Sequence, residues 1–303
     1  HLILQFVIAI WRSFMNWFNK LKSGIQTLVR KRMPENIWIK CERCEQIVYR
    51  KKLEQNTGIC PHCKHHFRIS SAEYIAAVLD KNSFEEIGQE VKSTDPLTFV
   101  DLQPYPDRLK EYRKRTNMDA AVLAGVGEIN GAPVGIAVHE FGFMGGSLGS
   151  AEGERICRVI DRCMRDQLPL IIVCRSGGAR MQESIFSLMQ MAKVNAKLSQ
   201  FSDAGLLFIS VLIDPTTAGV NASYASIGDI NIAEPNALIG FTGSRITGSS
   251  VSASEMEALR QAQRAEQVLE HGFVDMIVSR DKMRATLSQL IEMLSKEPSE
   301  VTS

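Results

Sequence analysis

The chain has no apolar run at its amino end long enough to cross a bilayer. Residues 1–11 are mostly apolar but stop well short of the roughly 20 residues a spanning helix needs. No basic region precedes them and no small-residue cleavage site follows, which argues against a secretory signal. An excess of either charge is also missing. Lys and Arg number 35 against 34 Asp and Glu, a net +1, so the chain as a whole gives no electrostatic case for nucleic acid or acidic lipid. The glycine-rich stretch 141–150 lacks the Lys-Ser/Thr ending of a phosphate-binding P-loop, and no dinucleotide fingerprint fits. No Ser-His-Asp set is evident either. What remains is ordinary: 303 residues, 45% hydrophobic and 23% charged, enough for one sizeable core and a small appended module.

Seven cysteines are present, and four of them stand in two tight pairs. Cys41-Glu-Arg-Cys44 and Cys60-Pro-His-Cys63 are separated by fifteen residues, the spacing of two knuckles that close one tetrahedral thiolate site. Cys41, Cys44, Cys60 and Cys63 are therefore predicted to hold one structural Zn²⁺, with no ligand position left open. A ribbon strand is expected over 49–53, and His62, His65 and His66 read as exposed polar residues or a phosphate contact. Thiolates of this kind suit a reducing compartment. The division predicted is an extension over 1–36, a zinc ribbon over 37–68, a catalytic domain over 69–295 and a tail over 296–303. Met15 reads as the true start, with 1–14 as upstream or cloning-derived sequence. The alternative is a short interfacial anchor running on through Phe14, Trp17, Phe18 and Leu21.

In the larger domain, the periodicity predicts helices over 72–79, 105–116 and 152–166. Asn130-Gly131 between two apolar runs predicts a hairpin, because both positions accept positive φ. Residues 168–174 form a short continuous apolar run, read as a strand covered on both faces. It leads through Ser176-Gly177-Gly178 into a helix. That corner sets bare N–H groups at the positive end of a helix dipole, a place for a developing negative charge. The same grammar returns with a strand over 206–213, a turn over 214–217, a small-residue helix over 220–227 and strands over 229–233 and 237–241. Helices over 254–270 and 281–295 close the chain. The recurrence suggests stacked β-β-α turns in an α/β fold, not a Rossmann sheet.

An ordered set of motifs then resembles one family. The four-cysteine ribbon, Phe143-Met-Gly-Gly-Ser147, Ser176-Gly-Gly-Ala-Arg-Met-Gln-Glu183, Ser187-Leu-Met-Gln-Met191, Pro215-Thr-Thr217 and Leu269-Glu-His-Gly-Phe-Val-Asp275 are similar to the carboxyltransferase beta subunit of bacterial and plastid acetyl-CoA carboxylase. The resemblance runs from about residue 38 to 294. It implies a crotonase-like (ClpP/crotonase) core and a heterotetramer with an alpha subunit, working with a biotin carboxyl carrier protein and biotin carboxylase. The implied reaction moves a carboxylate from carboxybiotin to acetyl-CoA to give malonyl-CoA, in the cytoplasm or a plastid stroma. By the same resemblance Gly177 and Gly178 form a backbone oxyanion hole, and Gly145, Gly146, Ser147, Arg180, Thr217, Gly219 and Arg245 line the substrate cleft. Several positions depart from the family pattern: Arg175 for Ala, Ala218 for Gly, Asn221 for Thr or Ser, Gly142 for Arg, and the runs 243–249 and 254–259. A second reading uses the ribbon and Lys31, Arg32, Lys40, Arg43, Arg50, Lys51, Lys52 and Lys64 to bind nucleic acid. A third is a crotonase-type hydratase or thioesterase working alone.

Overall fold

The computed structural model describes residues 37–241 and 252–295. The expectations placed on 1–36, on Arg245 and on the tail from 296 lie outside the described residues. Two compact units divide at Lys52/Leu53.

In the first unit β1 (Trp38–Lys40) pairs antiparallel with β2 (Ile47–Tyr49), and the rings of Trp38 and Tyr49 meet at 5.3 Å. The strand expected over 49–53 is instead helical, as α1 (Arg50–Gln55). Its residues are straight-chain helix formers and only Leu53 is buried, so no alternating face asks for a strand.

The second unit is built on one mixed sheet, in spatial order Met276–Ile277, Ile230–Ala233, Phe208–Thr217, Leu170–Ser176, Ala132–His139, Val122–Ile129 and Glu85–Glu86, with Ile239–Gly240 beside Phe208–Thr217. Helix α2 (Ser71–Val78) comes first, capped by Ser70 and Glu73 in a reciprocal capping box. It is followed by β3 (Glu85–Glu86) and α3 (Tyr105–Thr116). The hairpin of β4 (Val122–Ile129) and β5 (Ala132–His139) turns at Asn130-Gly131, both at positive φ as predicted. Helix α4 (Ser150–Asp166) completes the first β-β-α unit. Parallel strands β6 (Leu170–Ser176) and β7 (Phe208–Thr217) follow, with α5 (Ile185–Asp203) between them. Beyond β7 come α6 (Ala218–Asn221), a 3₁₀ turn at Tyr224–Ser226, β8 (Ile230–Ala233) and β9 (Ile239–Gly240). Helices α7 (Ala253–Ala262) and α8 (Ala265–Glu270), strand β10 (Met276–Ile277) and helix α9 (Arg280–Leu294) finish the described chain.

Strand parity divides the core. Leu170, Ile172 and Cys174 of β6 pack with Ile156, Ile160, Val194 and Leu198 of α4 and α5. Ile171 and Val173 face the other way, with Tyr74, Ile75, Met283, Leu287 and Ile291 of α2 and α9. All seven β6 residues are buried, as a central parallel strand requires. Each fully buried Leu, Ile or Val contributes about 1.5–3 kcal/mol.

Two boundaries differ from expectation for a tertiary reason. Residues 214–217, predicted as a turn, continue β7, because the Thr216 hydroxyl donates to Cys174 O (2.5 Å) and that of Thr217 to Ser176 O (3.1 Å). The helix predicted over 254–270 breaks at Gln263 and Arg264. There the Gln263 carbonyl accepts the Ile239 N–H at 2.8 Å, and Leu238 bridges Arg264.

Candidate active site and metal centre

Three segments meet where the parallel strands β5, β6 and β7 end, the edge at which open α/β sheets bind ligands. The first follows β5. Met144, Gly145 and Gly146 have φ of 49°, 68° and 64°, a left-handed turn that only glycine makes without strain. A Cβ on Gly146 would fall on the carbonyl oxygen of Arg175, so close backbone contact fixes glycine there. The second segment is Ser176 to Arg180, in which Gly177 is exposed and Gly178 is buried with φ 109°. The third is Thr217 to Val220. A Cβ on Gly178 would stand 2.7 Å from Cβ of Ala218 and 3.6 Å from the Gly219 nitrogen.

Hydrogen bonds stitch these together. Leu148 N–H donates to Gly178 O and Arg180 N–H to Leu148 O, both at 2.9 Å. Gly177 N–H donates to Gly145 O, and Gly178 N–H to Ser176 Oγ, each at 3.0 Å. Both amides expected to face an oxyanion thus have internal acceptors in this conformation. A backbone N–H beside an outward carbonyl pairs with it. Gly145, Gly146, Ser147, Gly177, Gly178, Thr217 and Gly219 are brought to one corner. Arg175 does not enter it. As the next odd residue of β6 it lies on the α2 and α9 face, where its guanidinium donates to Ile69 O.

Arg180 has a different place from the one expected. Its side chain is fully buried, 2.7 Å from Glu152 Oε1 and 3.2 Å from Glu183 Oε1. It also donates to Ser147 Oγ (3.1 Å), Ser147 O (2.8 Å) and Ser93 Oγ (2.8 Å). Burial raises the Glu152 pKa, but Arg180 and the Ala121 N–H outweigh it, so the carboxylate stays below its usual range. Glu152 accepts the Gly149 N–H at 3.0 Å, and Glu183 accepts Ser150 N–H at 2.6 Å and the Tyr105 hydroxyl at 2.8 Å. The arginine therefore holds the glycine turn and the start of α4 from inside. Composition offered no sign of this, because the pairing is set by contacts between distant segments.

Other neighbours were missed in the same way. Arg115, on the helix read as a solvated face, donates to the Gly142 carbonyl and lies over the Tyr112 ring. A groove of about 390 Å³ lies there, lined by Gln103, Arg108, Glu111, Tyr112 and Arg115. His139, the last residue of β5, is buried against Gly146 O (3.1 Å) and the Tyr224 hydroxyl (2.9 Å).

At the amino end, the two cysteine knuckles repeat one geometry. Cys41 N–H donates to Gln46 O and Glu45 N–H to Cys41 O; Cys60 N–H donates to His65 O and Lys64 N–H to Cys60 O. Glu45 and Lys64 occupy the same left-handed position, φ 59° and 62°. The Sγ atoms of Cys41, Cys44, Cys60 and Cys63 all lie within 4.8 Å of one another. Four thiolates about 2.3 Å from a tetrahedral Zn²⁺ would stand about 3.8 Å apart, so this donor set fits the ion.

His66 is not exposed, contrary to expectation. Its ring lies between Glu234 (3.0 Å) and Ser279 (3.1 Å), and Arg280 clasps Glu234 through two bonds of 2.6 and 2.7 Å. Arg280 also donates to the carbonyls of Thr57 and Phe67, at 3.0 Å each. Burial raises the Glu234 pKa, Arg280 and His66 lower it, and the carboxyl settles at about 2.

The Carboxyl transferase domain family matches residues 68–303, and the Acetyl-CoA carboxylase zinc finger domain matches residues 38–63. The chain is 48% identical over 265 residues to the acetyl-coenzyme A carboxylase carboxyl transferase subunit beta of Citrifermentans bemidjiense, covering 88% of this chain and 93% of that one.

The chain belongs to the carboxyl transferase family.

The corresponding beta subunit of Trichodesmium erythraeum is 45% identical over 284 residues, covering 93% of this chain and 86% of its relative. Among solved structures, transcarboxylase 12S matches with a TM-score of 0.59 at 23% identity, over 80% of this chain and 43% of that one. The malonate decarboxylase hetero-tetramer of Pseudomonas also gives 0.59, at 19% identity, over 76% and 84%. These structures share the fold: a crotonase-like carboxyl transferase core, here with a four-cysteine zinc ribbon. No helix among the described residues is long and apolar enough to cross a membrane.

Proposed function

We propose that this carboxyl transferase chain is the beta subunit of an acetyl-CoA carboxylase and moves a carboxyl group from carboxybiotin to acetyl-CoA. The observation that carries this reading is the corner itself: glycine backbone from three strand ends on one spot, in a chain whose close relatives bear that name. Biotin, on a separate carrier protein, supplies the carboxylate and a ureido nitrogen basic enough to take the methyl proton. The chain's own work is then to place the thioester and hold charge on its oxygen.

The N–H of Gly177, an exposed residue, is the donor we assign to that oxygen, which replaces the Gly145 carbonyl as acceptor. The Ser176 hydroxyl, by rotating, releases the Gly178 N–H as the second donor. Ser147, Thr217 and Gly219 shape the walls, and Arg180 positions the glycine turn from behind. The alpha subunit docks on the apolar side chains exposed beside the corner, Met181, Ile185, Phe186, Leu188 and Met189. The paired cysteine thiolates support a reducing setting, the cytoplasm or a plastid stroma.

The test combines the chain with its alpha partner and carboxybiotin or its carrier. Malonyl-CoA should form from acetyl-CoA. No product with an active alpha partner present would overturn the reading. Gly177→Ala probes the corner separately. Its methyl would meet nothing nearer than Gly145 O at 3.7 Å, so the fold should be kept while the oxygen site is crowded. The loss expected is about 100-fold in kcat, the scale of one disabled oxyanion donor.

A further inference from the structure

We propose that His139, backed by Tyr224, is a positioning residue that fixes the glycine turn 144–146 relative to the Gly177 amide. The proposal rests on the corner reading above and adds to it a side chain that no sequence motif marked.

His139 is fully enclosed at the end of β5. Its Nδ1 lies 3.1 Å from the Gly146 carbonyl and its Nε2 2.9 Å from the Tyr224 hydroxyl, with the two rings stacked at 20°. A carbonyl oxygen only accepts, so Nδ1 carries the proton, and the Tyr224 O–H donates to the lone pair on Nε2. Both ring nitrogens are satisfied by a neutral imidazole. Burial holds the ring neutral by pushing its pKa down to about 4; the Gly146 carbonyl and Glu152 of α4 pull upward, and Arg180 after β6 pulls down. An enclosed neutral ring does not exchange protons with substrate; it supplies a fixed donor.

The fixed donor matters because of where it points. The three consecutive left-handed residues include Met144, a conformation uncommon for a residue with a Cβ, and such a turn persists only when its surroundings hold it. Backbone amides hold the Phe143 and Met144 carbonyls, and side chains hold three others: Gly142 O by Arg115, Gly146 O by His139 and Ser147 O by Arg180. Gly145 O is the one directed at Gly177. Holding the Gly146 carbonyl sets the peptide plane next to it. That plane determines how readily Gly145 O yields the amide to a substrate oxygen. A leucine would fill the same space but leave the Gly146 carbonyl and the Tyr224 hydroxyl buried without partners.

The experiment uses the assembled transferase for kinetics and the full-length chain for hydrogen–deuterium exchange over residues 141–149. His139→Leu should lower kcat by about tenfold, the worth of one buried donor, with the acyl-CoA KM little changed. His139→Asn sets its amide nitrogen where Nδ1 stood and should recover most of that loss, although the smaller polar side chain packs worse and melts no higher than the leucine variant. Tyr224→Phe should fall between them. Exchange in 141–149 should quicken in His139→Leu and not in His139→Asn. If activity instead follows melting temperature, with asparagine the poorer of the two, His139 only packs and the proposal fails. Unchanged exchange in His139→Leu defeats it as well. Gly177→Ala separates the levels. If that variant is silent, the corner reading is wrong. If it is impaired while His139→Leu is normal, only the role of His139 is lost.

Discussion

Helix α4 begins directly at Gly149, whereas α5 begins only at Ile185, past a 3₁₀ turn at Met181–Glu183. Contrary to expectation, the Gly177 and Gly178 amides therefore do not stand at the positive end of α5, and the two first turns are finished differently. The amides at the start of α4 are accepted by buried carboxylates from its own chain, Glu152 for Gly149 and Glu183 for Ser150, and Arg180 neutralises both acids. Helix α5 has no side-chain cap, and it turns Ile185, Phe186, Leu188 and Met189 outward. An apolar surface of that kind is the face proposed above for the alpha subunit. On that proposal one helix start is completed by folding and the other by assembly. Stability and function are therefore separable here, residue by residue.

The sharpest way to break this comparison is at Arg180. Arg180→Leu leaves Glu152 and Glu183 buried without a counter-charge and should cost about 3–5 kcal/mol, read by urea unfolding. A loss below about 1 kcal/mol would mean the carboxylates find protons or water, and α4 is not braced as described.

Next in size is an acid effect at His139. Its folded pKa of about 4 lies below the unfolded value of 6.5, so the unfolded chain binds the extra proton first. Stability should be complete above pH 6.5 and fall by about 3 kcal/mol as pH drops from 6.5 towards 4. Comparing urea midpoints of the wild type with His139→Leu isolates this from Glu234, whose depressed pKa of about 2 places its own loss lower, from pH 4.5 downward. Parallel curves for the two proteins would contradict the buried neutral ring.

Zinc removal should act more locally. A chelator strong enough to extract one zinc per chain should open the cysteine-bearing segment to protease while the far-ultraviolet signal of the sheet persists. Smallest in energy is Leu188→Asp. At 53% exposure it should shift stability by less than about 0.5 kcal/mol, while ultracentrifugation shows the alpha partner lost.

The parts of the fold legible in the sequence were those decided locally. The β6 run and the Asn130-Gly131 hairpin each carry their cause within a few residues. Helix α3 has the predicted ends, and α4 starts two residues before the expected 152. Misread segments were those in which distant pairing overrides local chemistry. Asp214-Pro215 looks like a turn until β6 offers carbonyls to Thr216 and Thr217. The candidate site divides along the same line. Its glycines could be named from a strand–turn–helix pattern, because backbone geometry leaves a compositional trace. His139 meets Tyr224 across 85 positions and Arg180 meets Glu152 across 28, and no spacing announces such contacts. Arg175 shows that parity alone is informative: one step along β6 separates the corner from the opposite face of the sheet.

The clasp of Arg280 on the Thr57 and Phe67 carbonyls, with Glu234 and His66 beside it, has a consequence for synthesis. These carbonyls precede the side chain that fastens them by 223 and 213 positions. In synthesis from the amino end, they and the His66 ring therefore have no such partner until the helix bearing Arg280 has been made.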